Sequence, residues 1–237
     1  MAASLPDVLP IAQRALWIKD VFLRQAHLHI EDDYKPFEGV HEDIDVQTII
    51  NTVFHSVAMR EATEEERDSG HSTRTLVEYK VVTGARFTSD VDGEQELYGE
   101  VVAVFSAVYL LNEEVENDAL IEFGLRNAPY HVWPYWREFL HAATGRLRLP
   151  PAVLPVYLGR KNGVPEVHEE PEAEVADEAH DSFLSDREID ADDRYEIIFW
   201  TTSFNVDESI LRRAMANVGC NALDVRKELH RLMTDMD

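Results

Sequence analysis

The chain has a single cysteine, Cys220, among 237 residues, so no disulfide can close within it. That excludes a small secreted scaffold held by disulfides and fits a reducing compartment. Long apolar runs are also missing. Nothing approaches the roughly 18 consecutive apolar residues of a membrane span, and the N-terminal MAASLPDVLPIAQRALWIKD lacks the positive start and apolar stretch of a signal peptide. A soluble, cytoplasmic protein without membrane insertion is the expectation. Basic residues are scarce: 22 Lys and Arg stand against 46 Asp and Glu, a net charge of −24. Nucleic acid and anionic lipid are poor partners for such a chain, because phosphate recognition needs cations.

Catalytic patterns are equally thin. No Gly-x-Ser-x-Gly, phosphate loop or dinucleotide fingerprint occurs. His27 and His29 alternate near Asp32, Asp33 and His41, but two alternating histidines without a closely spaced third ligand do not make a zinc site. Cys220 follows Gly219 in what reads as a tight turn rather than a reactive centre. The expectation is a protein that is not an enzyme, with no catalytic residue, metal or cofactor.

What the chain does have is 45% apolar residues, enough to fill a proper core. Its acid is unevenly placed. Between Glu166 and Asp193 thirteen Asp and Glu face one Arg, a local charge of −12. Such a stretch cannot bury enough apolar surface to offset its ordering entropy, so it reads as a disordered linker. Three regions follow: a main domain over residues 1–160, an acidic linker over 161–193 and a small helical domain over 194–237.

Strands precede helices in the main domain. STRTLVEYKVVTGARF alternates with period two, setting Val77, Tyr79, Val81, Ala85 and Phe87 on one face and Glu78, Lys80 and Arg86 on the other. LYGEVVAVFSAVYLL, residues 97–111, is nearly all apolar past Glu100, as in a strand covered on both faces or buried in an interface. The two predict a hairpin across SDVDGEQE. WIKDVFLRQAHLHI and DVQTIINTVFHSVAMRE, rich in β-branched and aromatic residues, predict two earlier strands. The acidic loop between them carries Tyr34, Phe37 and Val40, which must dock somewhere or face a partner. From Asn117 the period becomes helical. NDALIEFGLRN predicts one short helix. Proline favours a first helical position, so Pro129 predicts a single turn and Pro134 the start of a main helix, with Trp133 extended beside it and Gly145 as the stop.

The run Pro129, Val132, Trp133, Pro134, Tyr135, Arg137, Glu138, with Leu154-Pro155-Val156 beyond Gly145, resembles the signature region of the SecB export chaperones. WIKDVFL resembles that family's first strand, the segment around Tyr34 and Pro36 its crossover loop, and LYGEVVAVFSAV its last strand. Together the matches cover most of residues 15–158 in order. The resemblance implies an α+β fold, a four-stranded antiparallel sheet with two helices, assembled as a homotetramer that is a dimer of dimers. It implies a holdase for unfolded or nascent client polypeptides. By carry-over, clients would lie between the crossover loop (Tyr34, Phe37, Val40) and the main helix (Trp133, Trp136, Leu140). A translocase ATPase of the SecA type would dock at Asp20, Tyr98 and Glu100, although Arg24 stands where the family has a further acid. SecB-like proteins also serve toxin–antitoxin pairs, so a dedicated chaperone or scaffold with one specific partner is the alternative.

RYEIIFWTTSFNVDESILRRAMANVGCNALDVRKELHRLM is unlike the export chaperones. Caps at Asn205 or Asp207 and at Asn221, and a stop at Gly219, predict two or three helices. The buried positions are expected at Ile210, Leu211, Ala214 and Val218, then Leu223, Val225, Leu229 and Leu232. The segment is similar to a small helical bacterial module of uncharacterised function.

Overall fold

The computed structural model describes residues 8–37, 44–68, 70, 72–91, 94–155, 157 and 187–234. The chain divides into two compact units, Met1–Arg160 and Lys161–Asp237. Each has its own apolar core. Val40, His41 and most of the acidic segment lie outside the described residues.

The large unit is α+β. Its elements run α1 (Leu9–Ala15), β1 (Leu16–Ile30), β2 (Asp45–Glu61), α2 (Glu64–Asp68), β3 (Thr73–Val91), β4 (Glu94–Leu111) and α3 (Asn117–Leu147). The strands make one antiparallel sheet in the order β1-β4-β3-β2. The period-two face of β3 is the inner one: Val77, Tyr79, Val81, Ala85 and Phe87 are all buried. β3 and β4 form the hairpin, paired from Thr75↔Leu111 to Val91↔Glu94. β4 takes the centre, and its apolar composition follows from that place. Val101, Ala103, Phe105, Ala107 and Tyr109 join the core while Val102 and Val104 are buried on the opposite face, so the single chain already buries both sides of this strand.

The helical reading needs correction. Instead of a short helix, a turn and a main helix, one helix of 31 residues runs from Asn117 to Leu147 with Pro129 and Pro134 inside it. Trp133 is helical, and the helix passes Gly145 to end at Arg148, in the left-handed region at φ 59°. A proline within a helix removes the N–H that would bond the carbonyl four residues back, here those of Leu125 and Tyr130. The buried stripe Leu120, Phe123, Ala128, Val132, Trp136, Leu140 and Ala143 nevertheless keeps helical spacing across both prolines. Packing of that stripe on the sheet outweighs two missing hydrogen bonds. Pro134 and Tyr130 lie on the exposed side, where water can serve the freed carbonyl.

The small unit contains α4 (Arg194–Phe204), α5 (Glu208–Val218) and α6 (Ala222–Thr234). Asp193 caps α4 by accepting from the N–H groups of Tyr195 and Glu196 at 2.8 and 3.3 Å. Gly219 ends α5 at φ 87°. The Asn221 side chain accepts from the N–H groups of Leu223 and Asp224 at the start of α6. Leu211, Ala214, Val225, Leu229 and Leu232 are buried as the periodicity predicts, whereas Ile210 and Leu223 are half-buried and Val218 is exposed at the helix end. Residues 187–193, read from composition as linker, belong to this unit. The Ile189 N–H donates to the Cys220 carbonyl, the Ala222 N–H donates to the Arg187 carbonyl, and Ile189 is buried among the helices. A charge count over a window misses one apolar residue that anchors an acidic segment.

Candidate functional site

Long side chains fill the interior of the large unit where the sequence placed a client groove. Trp136 and Leu140 are fully buried, Tyr34 and Trp133 nearly so. Tyr34 reaches in from the loop after β1, donates its hydroxyl to the Arg148 carbonyl at 2.7 Å and lies against Tyr98. Trp133 donates its indole N–H to the Pro155 carbonyl at 2.9 Å and packs on Tyr157, which returns the segment after α3 onto the helix. Around them Tyr79, Tyr109 and Phe123 form an aromatic cluster with centroids 5.0–5.8 Å apart. Tyr79 donates to the Leu120 carbonyl, and the Tyr109 hydroxyl lies 2.9 Å from Nδ1 of His131. Burial pushes both phenols up and His131 down, keeping all three neutral near pH 7.

The carried-over client positions are therefore corrected. Tyr34, Trp133, Trp136 and Leu140 form the interior, because the helix that brings them together lies flat on the sheet. Phe37 alone among the described client positions is open, at 83% exposure. The docking positions do not converge either. Asp20 is exposed opposite Val108, eight residues along β4 from Glu100, a span of about 26 Å at strand rise. Glu100 is buried and accepts from Arg86 Nε at 3.0 Å; Tyr98 is half-buried. Arg24, which departs from the family pattern, is tied to the sheet: it donates to Ser106 Oγ and to Glu78. Burial pushes Glu78 up, but hydrogen bonds from Ser106 and Arg24 outweigh it and hold the carboxyl below its usual range.

Open apolar surface lies instead on the two edge strands. On β1, Trp17 and Phe22 pair with Leu110 and Ser106 on the outer face, while Ile18, Leu23 and Leu28 pair with Tyr109, Phe105 and Val101 on the face that carries α3. All five are exposed. Adjacent Trp17 and Ile18, and adjacent Phe22 and Leu23, point to opposite faces by simple alternation, and the bulges at Lys19 and Arg24 shift that alternation so that Ile18, Leu23 and Leu28, five residues apart, share one face. On β2, Ile49, Val57 and Met59 are exposed. Sequence patterning found these strands but not this property, because which strand is an edge is a matter of topology. An arrangement of apolar side chains along strand edges that have no strand partner among the described residues can hold an extended chain. Among the described residues no group of three His, Cys, Asp or Glu could hold a metal ion, and no helix is long and apolar enough to cross a membrane.

The small unit offers charge networks. Glu208 accepts from Arg212 and Arg194, and Glu228 from Arg231 and Asn217. Hydrogen bonds from Arg231, then Asn217, hold Glu228 down at about 2, and those from Arg212 and Arg194 hold Glu208 low. Burial instead pushes Glu196 up, against the hydrogen bond it accepts from Trp200. A depressed carboxylate stabilises the fold above its unfolded pKa and loses that contribution as pH falls through the folded one. The helices are thus expected to lose hydrogen-exchange protection as pH falls from about 4.5 toward 2, while Glu196, with its raised pKa, acts in the opposite direction. Replacing Glu208 and Glu228 with Gln should flatten this dependence. An unchanged profile would remove the two networks as its cause.

No curated protein matches the chain. Several solved structures are similar in part, two of them as follows. One is the Mycobacterium tuberculosis SecB-like chaperone Rv1957 in complex with a peptide from the HigA1 antitoxin. It is 17% identical with TM-score 0.48, and the match covers 64% of this chain and 97% of that one. The other is a protein of unknown function from Streptococcus agalactiae, 12% identical with TM-score 0.25, covering 59% of this chain and 96% of that one. A family described as "Protein of unknown function (DUF3606)" matches residues 178–230, so the small unit is similar to a module whose activity is not assigned.

Proposed function

We propose that the chain is a holdase-type molecular chaperone that binds unfolded or nascent polypeptides by apolar contact, without catalysis, metal or nucleotide. The observation that supports this reading is the exposed apolar set on β1 and β2, from Trp17 to Met59, on a chain of net charge −24. Apolar strips on strand edges would drive a neutral protein to aggregate without limit; strong like charge opposes open-ended association, so the β2 strip stays available to other chains when the β1 strip is closed within an assembly. Grip would come from burial at roughly 25 cal/mol per Å² spread over weak subsites. Assembly as a homotetramer, a dimer of dimers, is part of the reading, with β1 as the self-association edge, since its Lys19, Asp20 and Arg24 make it less acidic than the chain as a whole. A role in export through a translocase ATPase would rest on Asp20 and the open part of Tyr98, since Glu100 is paired inside.

A second reading is favoured by the separate core of the small unit. In it the small unit binds one specific partner, as in a chaperone dedicated to a toxin–antitoxin pair. The purified chain is expected to suppress aggregation of several slow-folding denatured clients at about one assembly per client chain, with ATP or EDTA making no difference. Failure against all of them rejects the general holdase. Retained suppression of one client only, lost on deleting residues 187–237, selects the dedicated reading.

A further inference from the structure

The middle of α3 has the fewest backbone hydrogen bonds of the helix. Pro129 and Pro134 leave the carbonyls of Leu125 and Tyr130 without helical donors, and between the two prolines sits His131, half-buried. Its imidazole is set into the aromatic cluster. Nδ1 lies 2.9 Å from the Tyr109 hydroxyl, and the ring centroid stands 5.8 Å from Tyr109, 6.4 Å from Phe123 and 5.7 Å from Tyr130. Among the described residues, Nδ1 is the one hydrogen-bond partner of the buried Tyr109 hydroxyl.

A neutral ring suits this place. The Tyr109 phenol, kept protonated by burial, donates to Nδ1, which leaves the imidazole proton on Nε2. A second proton would have to go on Nδ1, the atom that accepts. The hydroxyl would then turn away with no acceptor for its own proton, and a cation would sit among three aromatic rings, partly stripped of water.

No charged group on the packed elements compensates. The residues three and four positions away on α3 are Asn127, Ala128, Pro134 and Tyr135. Near Tyr109 on the same face lie Val77 and Tyr79 of β3 and Ile18 and Val21 of β1, while Lys19 and Asp20 are exposed. One strand further out, β2 sets His55 opposite Tyr79. From α1 come Gln13, which donates to Asn127, and an exposed Arg14; the segment after α3 brings Leu154.

We propose that His131 is a pH-sensitive latch in α3: on protonation it leaves Tyr109, the segment between the prolines opens, and the rings of Tyr79, Tyr109 and Phe123 meet water. Burial lowers the imidazole pKa from its ordinary value near 6.5. A base shifted in that direction stabilises the fold above its unfolded pKa and loses that contribution as pH falls through the folded one, so the opening belongs to weakly acidic conditions. In a chaperone the uncovered rings would add surface for clients; that consequence rests on the reading above, whereas the latch does not.

The test uses the full chain and the variant His131→Asn, read by amide hydrogen exchange at pH 7.5 and 5.0 with intrinsic rates corrected. Asn sets its carbonyl oxygen near the place of Nδ1, accepts from Tyr109 and does not titrate. In the parent chain, protection over residues 124–137 is expected to fall at least tenfold more than that of the β3–β4 hairpin between the two pH values, and in His131→Asn this difference should vanish. Carbon-13 shifts of the His131 ring in the parent should give a midpoint below 6.5. Equal protection at both pH values, a fall that persists in the Asn variant, or a midpoint at or above 6.5 overturns the latch. Should the variant fail to fold, the two parent measurements decide. A parent that opens as expected yet suppresses no aggregation rejects the chaperone reading and keeps the latch; one that suppresses aggregation without opening does the reverse.

Discussion

Replacing Trp136 with Ala is expected to cost the large unit about 3–5 kcal/mol, a large share of a typical domain's stability. Trp136 is fully buried under α3, stacks near Phe139 at 6.2 Å and fills space between helix and sheet that no neighbour can refill. Its indole N–H is buried with no hydrogen-bond partner among the described residues. Trp136→Phe keeps most of the packing while removing that polar atom, so it should cost under about 1.5 kcal/mol. Urea denaturation of both variants checks this. The pair also separates core from client surface: if Trp136 gripped clients directly, Phe would weaken client retention without loss of stability, whereas a core role makes client retention follow stability. An alanine variant within about 0.5 kcal/mol of the parent would refute the core assignment.

The second large effect concerns assembly. Changing Trp17 and Phe22 to Asp together is expected to reduce the assembly to smaller species by light scattering, with circular dichroism unchanged. Both side chains already face solvent in the single chain, so the fold loses little. In a two-fold interface each residue occurs twice, so four large side chains lose their burial. At about 1.5–3 kcal/mol for each fully buried side chain, even half burial removes on the order of 3–6 kcal/mol of association, a hundredfold or more in Kd. A parent chain that scatters as a monomer, or a variant of unchanged mass, would refute self-association through β1.

The strands were legible because period two and β-branched composition act locally. β2 was readable over its full length, Asp45–Glu61, and the inner face of β3 down to Phe87. The helix was misread at Pro129 and Pro134 because a proline's local preference is for a helix start, while the decision lay with the continuous stripe from Leu120 to Ala143 pressed on the sheet. Tyr34, Trp133, Trp136 and Leu140 looked available because aromatic crowding in a sequence does not distinguish an open trough from a filled one. Arg24 looked like a lost docking acid, and only the sheet shows it joined to Ser106 and Glu78.

The sequence by itself determined that this is an acidic chain with one unpaired cysteine, four β segments before a helical one, and a small helical tail with readable caps, because charge, periodicity and capping are properties of neighbours along the chain. The tertiary structure alone decided that β4 is central and β1 and β2 are edges, and so which apolar residues are interior and which remain open. Burial depends on which strand lies beside which, and that pairing joins residues as far apart as Leu16 and Leu111.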